Sequence, residues 1–330
     1  MNLSDTRTRY LAVAPMALAI AIVPLLGNAY YPNLMVTIGI HTIVAVGLCL
    51  LMGFAGQVSL GHAAFYGMGA FISAILSARY GVSPWASMVV AALVTGLVAY
   101  LVGIPIFRLK GHYLAMGTLG LGIIVYILFV ELRDFTGGPS GLSGIPPLTI
   151  GNLALDNDFK YYYLVWAVCL AILIISDNIV NSRVGRALRS IHGSESAAHS
   201  VGVDVGQLKI RVFVLSAVYA ALAGSLYAHY ITFISPQPFG FMFSIRLVVM
   251  VVIGGLASVW GAVFGTAAVT LLSDVLHPLG DFDVIIFGLI LMLVMMLLPQ
   301  GLTRAFLDLI EVKQLRLRAG RRPEIVEVES

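Results

Sequence analysis

Apolar residues fill long, nearly uninterrupted runs in this chain, at approximately 11–28, 33–52, 63–78, 84–106, 113–130, 161–176, 211–230, 244–257, 259–275 and 284–299. Polar connections separate them. Crossing the ~30 Å of bilayer hydrocarbon takes about 20 apolar residues in a helix. A backbone facing lipid must satisfy its own hydrogen bonds, which leaves helices or closed barrels, and the alternation of barrel strands is missing. The pattern predicts an all-α polytopic membrane protein with eight to ten transmembrane helices. Several runs are short or crowded with glycine, and these predict broken or re-entrant glycine-rich segments.

Composition agrees with that class. Of the 330 residues, 59% are hydrophobic and 11% charged, with a mean hydropathy of +0.97; soluble domains carry about 25% charged residues. The opening MNLSDTRTRY precedes the run Leu11–Leu26. Without a clear small-residue cleavage site, that run reads as a retained span. Cys49 and Cys169 both lie inside apolar runs, so neither a disulfide framework nor a metal cluster is indicated.

Lys and Arg set the orientation. Arg7 and Arg9 precede the first run, Arg108 and Lys110 sit in RLKG, and Arg183, Arg186, Arg189, Lys209 and Arg211 fill the connection 177–210. Lys313, Arg316, Arg318, Arg321 and Arg322 mark the tail. The alternate connections, 132–160 and 276–283, carry few such residues. The expected layout is a cytoplasmic N-terminus at 1–10, a transmembrane domain over 11–300 and a cytoplasmic tail over 301–330. Loop 177–210 then lies on the inner side and loop 132–160 on the outer side.

Residues 53–70, GFAGQVSLGHAAFYGMGA, interrupt this apolar pattern. Gly53, Gly56, Gly61, Gly67 and Gly69 permit a helix break and close helix approach. A break frees backbone groups, tolerated at membrane depth only against protein or a wet cavity. Gln57, Ser59 and His62 are placed to satisfy them, and a half-helix after the break would aim N–H groups at an anionic substrate. The plainer alternative is glycines for packing and a satisfied buried His62. A weaker echo, GGLASVWGAVFGT, stands at 254–266.

In SRVGRALRSI, Val184, Ala187, Leu188 and Ile191 share one helical face, with Arg183, Arg186 and Arg189 roughly opposite and Ser182 as N-cap. Such a helix fits an inner membrane surface or a docking partner; the plain alternative is a solvated loop. FTGGPSGLSGIPPLTI, 135–150, reads as ordered turns. No G-x-x-x-x-G-K-[ST] occurs among the four lysines, and no Asp or Glu sits near the middle of a run, where ion-coupled carriers place relays. Uphill movement would therefore draw on a partner.

These residues resemble a known family, the membrane permeases of ATP-driven branched-chain amino acid importers, LivM type. Gly53–Phe65 resemble the hallmark G-x-A-G-Q-x-S-L-G-H-A-A-F, Thr136–Pro146 resemble T-G-G-x-x-G-L-x-G-I-P, and Arg183–Ala187 with Glu195–Gly202 and Lys209 resemble R-x-G-R-A … E-x-A-A-x-x-x-G … K. FVLSAVYAALAGSLYAHY, 213–230, is also family-like. The chain departs from the pattern at His192–Gly193, and at Leu256–Ser258 with Ala262 after Gly261.

The resemblance implies an inner-membrane permease subunit, not an enzyme, carrying leucine, isoleucine or valine beside a LivH-type permease. Two cytoplasmic ATPase subunits would use ATP and Mg, a periplasmic substrate-binding protein would deliver cargo, membrane lipid surrounds the chain, and neither nucleic acid nor a cofactor is expected. Gly56, Gln57, Ser59, Gly61 and His62 would line the translocation pathway. Arg186, Glu195, Ala197, Ala198 and Gly202 would couple to an ATPase, and Thr136, Gly137, Gly138, Gly141 and Pro146 would face the binding protein. A tight internal substrate site is not expected. Rival readings are a urea or short-amide permease, an ion-coupled secondary carrier, and an intramembrane enzyme built on Ser59 and His62.

Overall fold

The computed structural model describes residues 30–150, 153–154, 157–256 and 258–276, with isolated helical positions at 288, 289, 292 and 296. The predicted first span at 11–28, the segment 1–10 and the tail 301–330 lie outside the described residues, as does the run 284–299 apart from those positions. The described residues are mostly helical. In order they form α1 (Tyr30–Cys49), running into a π-helical turn at Leu50–Phe54, then α2 (His62–Tyr80), α3 (Pro84–Ile106) and α4 (His112–Glu131). There follow α5 (Arg133–Thr136), β1 (Leu142–Ser143), β2 (Thr149–Ile150), β3 (Leu153–Ala154), α6 (Asp158–Asn181), α7 (Arg183–Gly193) and α8 (Glu195–Ser200). The series ends with α9 (Val205–Ile231), β4 (Phe233–Ile234), α10 (Phe241–Gly254) and α11 (Gly261–Leu276).

Among the described residues, five helices are long and apolar enough to cross a membrane: Tyr31–Phe54, Pro84–Ile106, His112–Glu131, Asp158–Asn181 and Val205–Ile231. The other described runs form shorter or more polar helices. α10 and α11, of 14 and 16 residues, reach about 21 and 24 Å at 1.5 Å per residue, short of ~30 Å of hydrocarbon. α2 has the length, but His62, Ser73, Ser77 and Arg79 temper its apolar character.

α9 lies at the centre, packed against α1, α2 and α3, while α6 covers α1 and the α10–α11 pair leans on α1 from another side. Lipid offers no hydrophobic drive for helix association, so small residues that admit close backbone contact do that work. At Gly69 a Cβ would run into the backbone of Ala221, and at Gly224 into the carbonyl of Tyr66. Ser225 donates to the Gly69 carbonyl across this seam (3.0 Å). Tyr161 donates to Leu226 O at 2.6 Å and Trp166 to Met35 O at 3.1 Å, tying α6 to both α9 and α1.

Candidate functional site

The helix that begins at Tyr30 ends at Phe54, and the next begins at His62. Gln57 N still reaches the Leu51 carbonyl at 3.0 Å, so the π-turn closes on itself before the chain leaves. Gly56 takes φ +68°, a left-handed conformation that favours glycine. Gly61 sits against Thr118 so closely that a Cβ would collide with its carbonyl oxygen, at 2.5 Å.

The polar atoms in this interval are almost wholly matched. His62 is completely buried. It shares hydrogen bonds with Ser59 Oγ through Nδ1 (3.1 Å) and with Ser216 Oγ through Nε2 (2.6 Å), and hydroxyls suit either tautomer. Phe65 and Phe213 meet its ring edge-on. Thr118 Oγ1 accepts from Leu60 N at 3.0 Å, and Ser244 Oγ from Ala63 N at 3.1 Å. Both ring nitrogens of His62 are thus hydrogen-bonded. Ser59 and His62 do touch, as a nucleophile and base would, but at 1% and 0% exposure neither offers a substrate access.

The break is also the seat of α7 and α8. His192 Nδ1 donates to the Gly53 carbonyl at 2.9 Å, and the His192 backbone lies over Gly56. Gln57 Nε2 donates to the Ala55 carbonyl (3.0 Å) and to Glu195 Oε1 (3.2 Å). The same Glu195 oxygen is paired with the ammonium of Lys209, near the start of α9. Gln57 and Lys209 are 7% and 3% exposed, so two of the three members of this Gln–Glu–Lys tie are withdrawn from water while Glu195 stays partly exposed. Three separate stretches of sequence, 53–57, 192–195 and 209, meet here.

Ser182 caps α7 as expected, accepting from Val184 N at 3.1 Å. The buried stripe, however, is Gly185, Leu188 and Ile191, while Val184 is exposed. The cause is Gly185, whose backbone presses on Val180 with no room for a Cβ and turns the helix about that contact. Arg189 is exposed, as expected, but reaches back over the start of its helix. It donates to the Val180 carbonyl at 2.5 Å and covers the Phe54 ring at 5.9 Å. Of the five residues expected to couple, Arg186, Ala197 and Gly202 are exposed, Ala198 is buried, and Glu195 turns inward.

Thr136–Pro146 form ordered turns. Thr136 Oγ1 donates to the carbonyls of Phe129 (2.7 Å) and Leu132 (2.9 Å) and accepts from Gly138 N (3.1 Å). Gly137 and Gly141 both have positive φ. β1 pairs antiparallel with β4, and Arg79 donates to the Asp134 carbonyl. The Pro146 carbonyl accepts from His229 Nδ1 at 2.8 Å; His229 Nε2 meets Ser73 Oγ at 2.8 Å, and Ser73 meets Ser87 at 3.1 Å. A buried polar chain thus pins this loop to α2, α3 and α9.

Sequence reasoning passed over a third polar place. Asn33, Thr37 and His41 of α1 follow one another at i, i+4 and i+8 and line a cavity with Arg246 of α10 and Asp274 of α11. Each stands nearly alone in an apolar run, and only the packing of three helices brings them together. The available signal was Arg246, an arginine inside the run 244–257. Among the described residues, no group of three or more His, Cys, Asp or Glu is placed to hold a metal ion.

Comparison with known proteins is consistent with these motifs. The family described as branched-chain amino acid transport system, permease component, matches residues 30–299. The permease protein LivM of the high-affinity branched-chain amino acid transport system of Salmonella typhimurium is 30% identical over 308 residues, covering 86% of this chain and 71% of that protein. LivM of Escherichia coli K12 is 30% identical over 286 residues, 80% of this chain and 67% of the relative. The second permease protein, LivH of Escherichia coli K12, is 26% identical over 286 residues, 81% and 92%. No solved structure gives a significant match.

Proposed function

This chain belongs to the branched-chain amino acid transport system permease family, and we propose that with a LivH-type permease it forms the pathway of an ATP-driven importer for leucine, isoleucine and valine. It is a multi-pass membrane protein and a transport subunit rather than an enzyme. The observation that carries the reading is the family match over 30–299, together with 30% identity to LivM over most of the chain.

In this reading ATP and Mg belong to two cytoplasmic ATPase subunits and a periplasmic protein delivers the amino acid. The chain lies in the inner membrane with both termini and loop 177–210 in the cytoplasm, and the transmembrane domain spans 11–300. The exposed Arg186, Ala197 and Gly202 face an ATPase, and Thr136–Pro146 face the binding protein. Gly56–His62 border the pathway at its inner end. Glu195 acts through others: its tie to Lys209 and Gln57 supports transmission of α8 movement to the helix break.

One observation favours a second reading. His41 of α1 and Asp274 near the end of α11 line one cavity, and ionisable groups of transmembrane helices serve as relays in ion-coupled carriers. Uptake of radiolabelled leucine, and separately of urea, into vesicles holding the whole complex with ATP inside and ion gradients collapsed separates these. The proposal predicts leucine uptake that requires ATP and the binding protein. Uptake of urea alone would change the cargo, and uptake lost with the gradients would overturn the ATP-driven mechanism.

A further inference from the structure

Three cations gather at the end of α3 that leads into α4. Arg108 and Lys110 are exposed in the connecting turn, and among the described residues their side chains make no hydrogen bond or ion pair. The third, Arg211, comes from α9. Phe107 meets the ring of Phe213 edge-on at 5.2 Å, and Gly103 lies against Ile210 and Phe213. Arg211, Val214 and Val218 follow one another at i, i+3 and i+7, and both valines pack on Gly96 of α3. Arg211 therefore stands on the side of α9 that borders α3. It is exposed, and its side chain donates to the neutral Gln207 Oε1 at 3.0 Å. Asp204, the acidic residue nearest to it in sequence, is engaged in capping α9 through Gln207 N.

The rest of α3 suits lipid better than protein. Its exposed stripe runs through Leu93, Leu97, Leu101 and Ile104, and Arg108 follows four residues on. From Val89 to Ile104 every exposed position holds Val, Leu, Ile or Tyr, while Gly96 and Gly103 are buried against α9. A second membrane helix would dock on small residues, whereas acyl chains need only apolar bulk. The positive-inside rule accounts for the sign of the charge. It does not call for three cations without carboxylate partners where an acyl-facing stripe ends. That combination matches a phosphodiester headgroup with its chains along the helix. Basic residues at the membrane edge attract anionic lipids, and Arg and Lys keep their heads at headgroup level while their stems cover apolar surface.

We propose that Arg108, Lys110 and Arg211 form a binding site for the headgroup of an anionic phospholipid whose acyl chains lie along the Leu93–Ile104 stripe. Only its assignment to the cytoplasmic leaflet rests on the preceding reading, which places this turn on the inner side.

The test uses the full complex in phosphatidylcholine nanodiscs, with a bimane fluorophore on Ile104→Cys. Cys49 and Cys169 are buried and leave the label to the new thiol. Quenching by phosphatidylglycerol with brominated chains is compared with quenching by the same small fraction of brominated phosphatidylcholine. The anionic lipid is expected to associate about tenfold more strongly, an advantage that shrinks as salt rises. Replacing Arg108, Lys110 and Arg211 together by Gln should abolish the preference, whereas Arg108→Lys with Arg211→Lys should keep it. Should the triple variant fail to assemble, Arg108→Gln alone is expected to lower the preference about threefold. A label on Val90→Cys, at the other end of the same face, should show none. Equal quenching by the two lipids, or a preference that survives loss of the charges, would overturn the site. So would a preference seen only after the ATPase subunits are stripped away, which would mean that protein covers this surface. Labelling of Lys110→Cys in intact cells by an impermeant maleimide would overturn the orientation alone, because the nanodisc result does not depend on it.

Discussion

At the Gly53 end of α1, polar groups close on one another. His192 takes the Gly53 carbonyl, Gln57 bridges to Glu195, Glu195 pairs with Lys209, and His62 sits between two serines. At the Asn33 end, His41, Thr270 and Ser273 line a cavity and keep buried side-chain atoms without a hydrogen-bond partner. A closed network fixes geometry and passes displacement between the segments it joins; an unsatisfied one supplies no such joint. Polarity inside a membrane protein therefore has two meanings, and hydrogen-bond satisfaction tells them apart.

The strongest way to break the closed end is Gly53→Leu. Its Cβ would fall on the carbonyl of Leu256, which already accepts from Cys49 Sγ at 3.4 Å. The expected cost is about 3 kcal/mol, read as loss of monodisperse complex in detergent. Glu195→Ala is next. It strands the Lys209 ammonium at 3% exposure, and because Glu195 is 38% exposed the expected loss is about 1–3 kcal/mol, read from the thermal unfolding midpoint. Adding Lys209→Met removes the stranded charge and should restore most of that stability. The mildest change is Arg186→Ala on the outer face of α7, expected to shift stability by no more than about 0.5 kcal/mol while reducing leucine uptake.

Much of this was legible beforehand. The helical class follows from the runs, and glycines with Gln57, Ser59 and His62 in one interval announced the break. Ser182 was readable as a cap because capping is local. Thr136–Pro146 read as turns for the same reason. The inward turn of Glu195 was not readable, because its partners Lys209 and Gln57 are 14 and 138 residues away and meet it only after α8, the Gly202 turn and α9 are placed. Periodicity put Val184 on the buried face, but the Gly185–Val180 contact sets the actual rotation. α10 ends at Gly254–Gly255 in a close packing of glycine on α11 that composition does not reveal. His41, Arg246 and Asp274 are separated by more than 200 residues in part, and their cavity exists only in three dimensions.

The most direct measurement is the number of leucine molecules moved per ATP hydrolysed by the reconstituted complex carrying Glu195→Ala with Lys209→Met. That pair leaves no buried charge unpaired and keeps the outer faces of α7 and α8 unchanged, so assembly and ATP hydrolysis should persist. If the tie between α8 and the helix break transmits the stroke, the ratio falls about tenfold. A ratio equal to that of the unaltered complex would contradict it and leave the Gly53 end a purely structural joint.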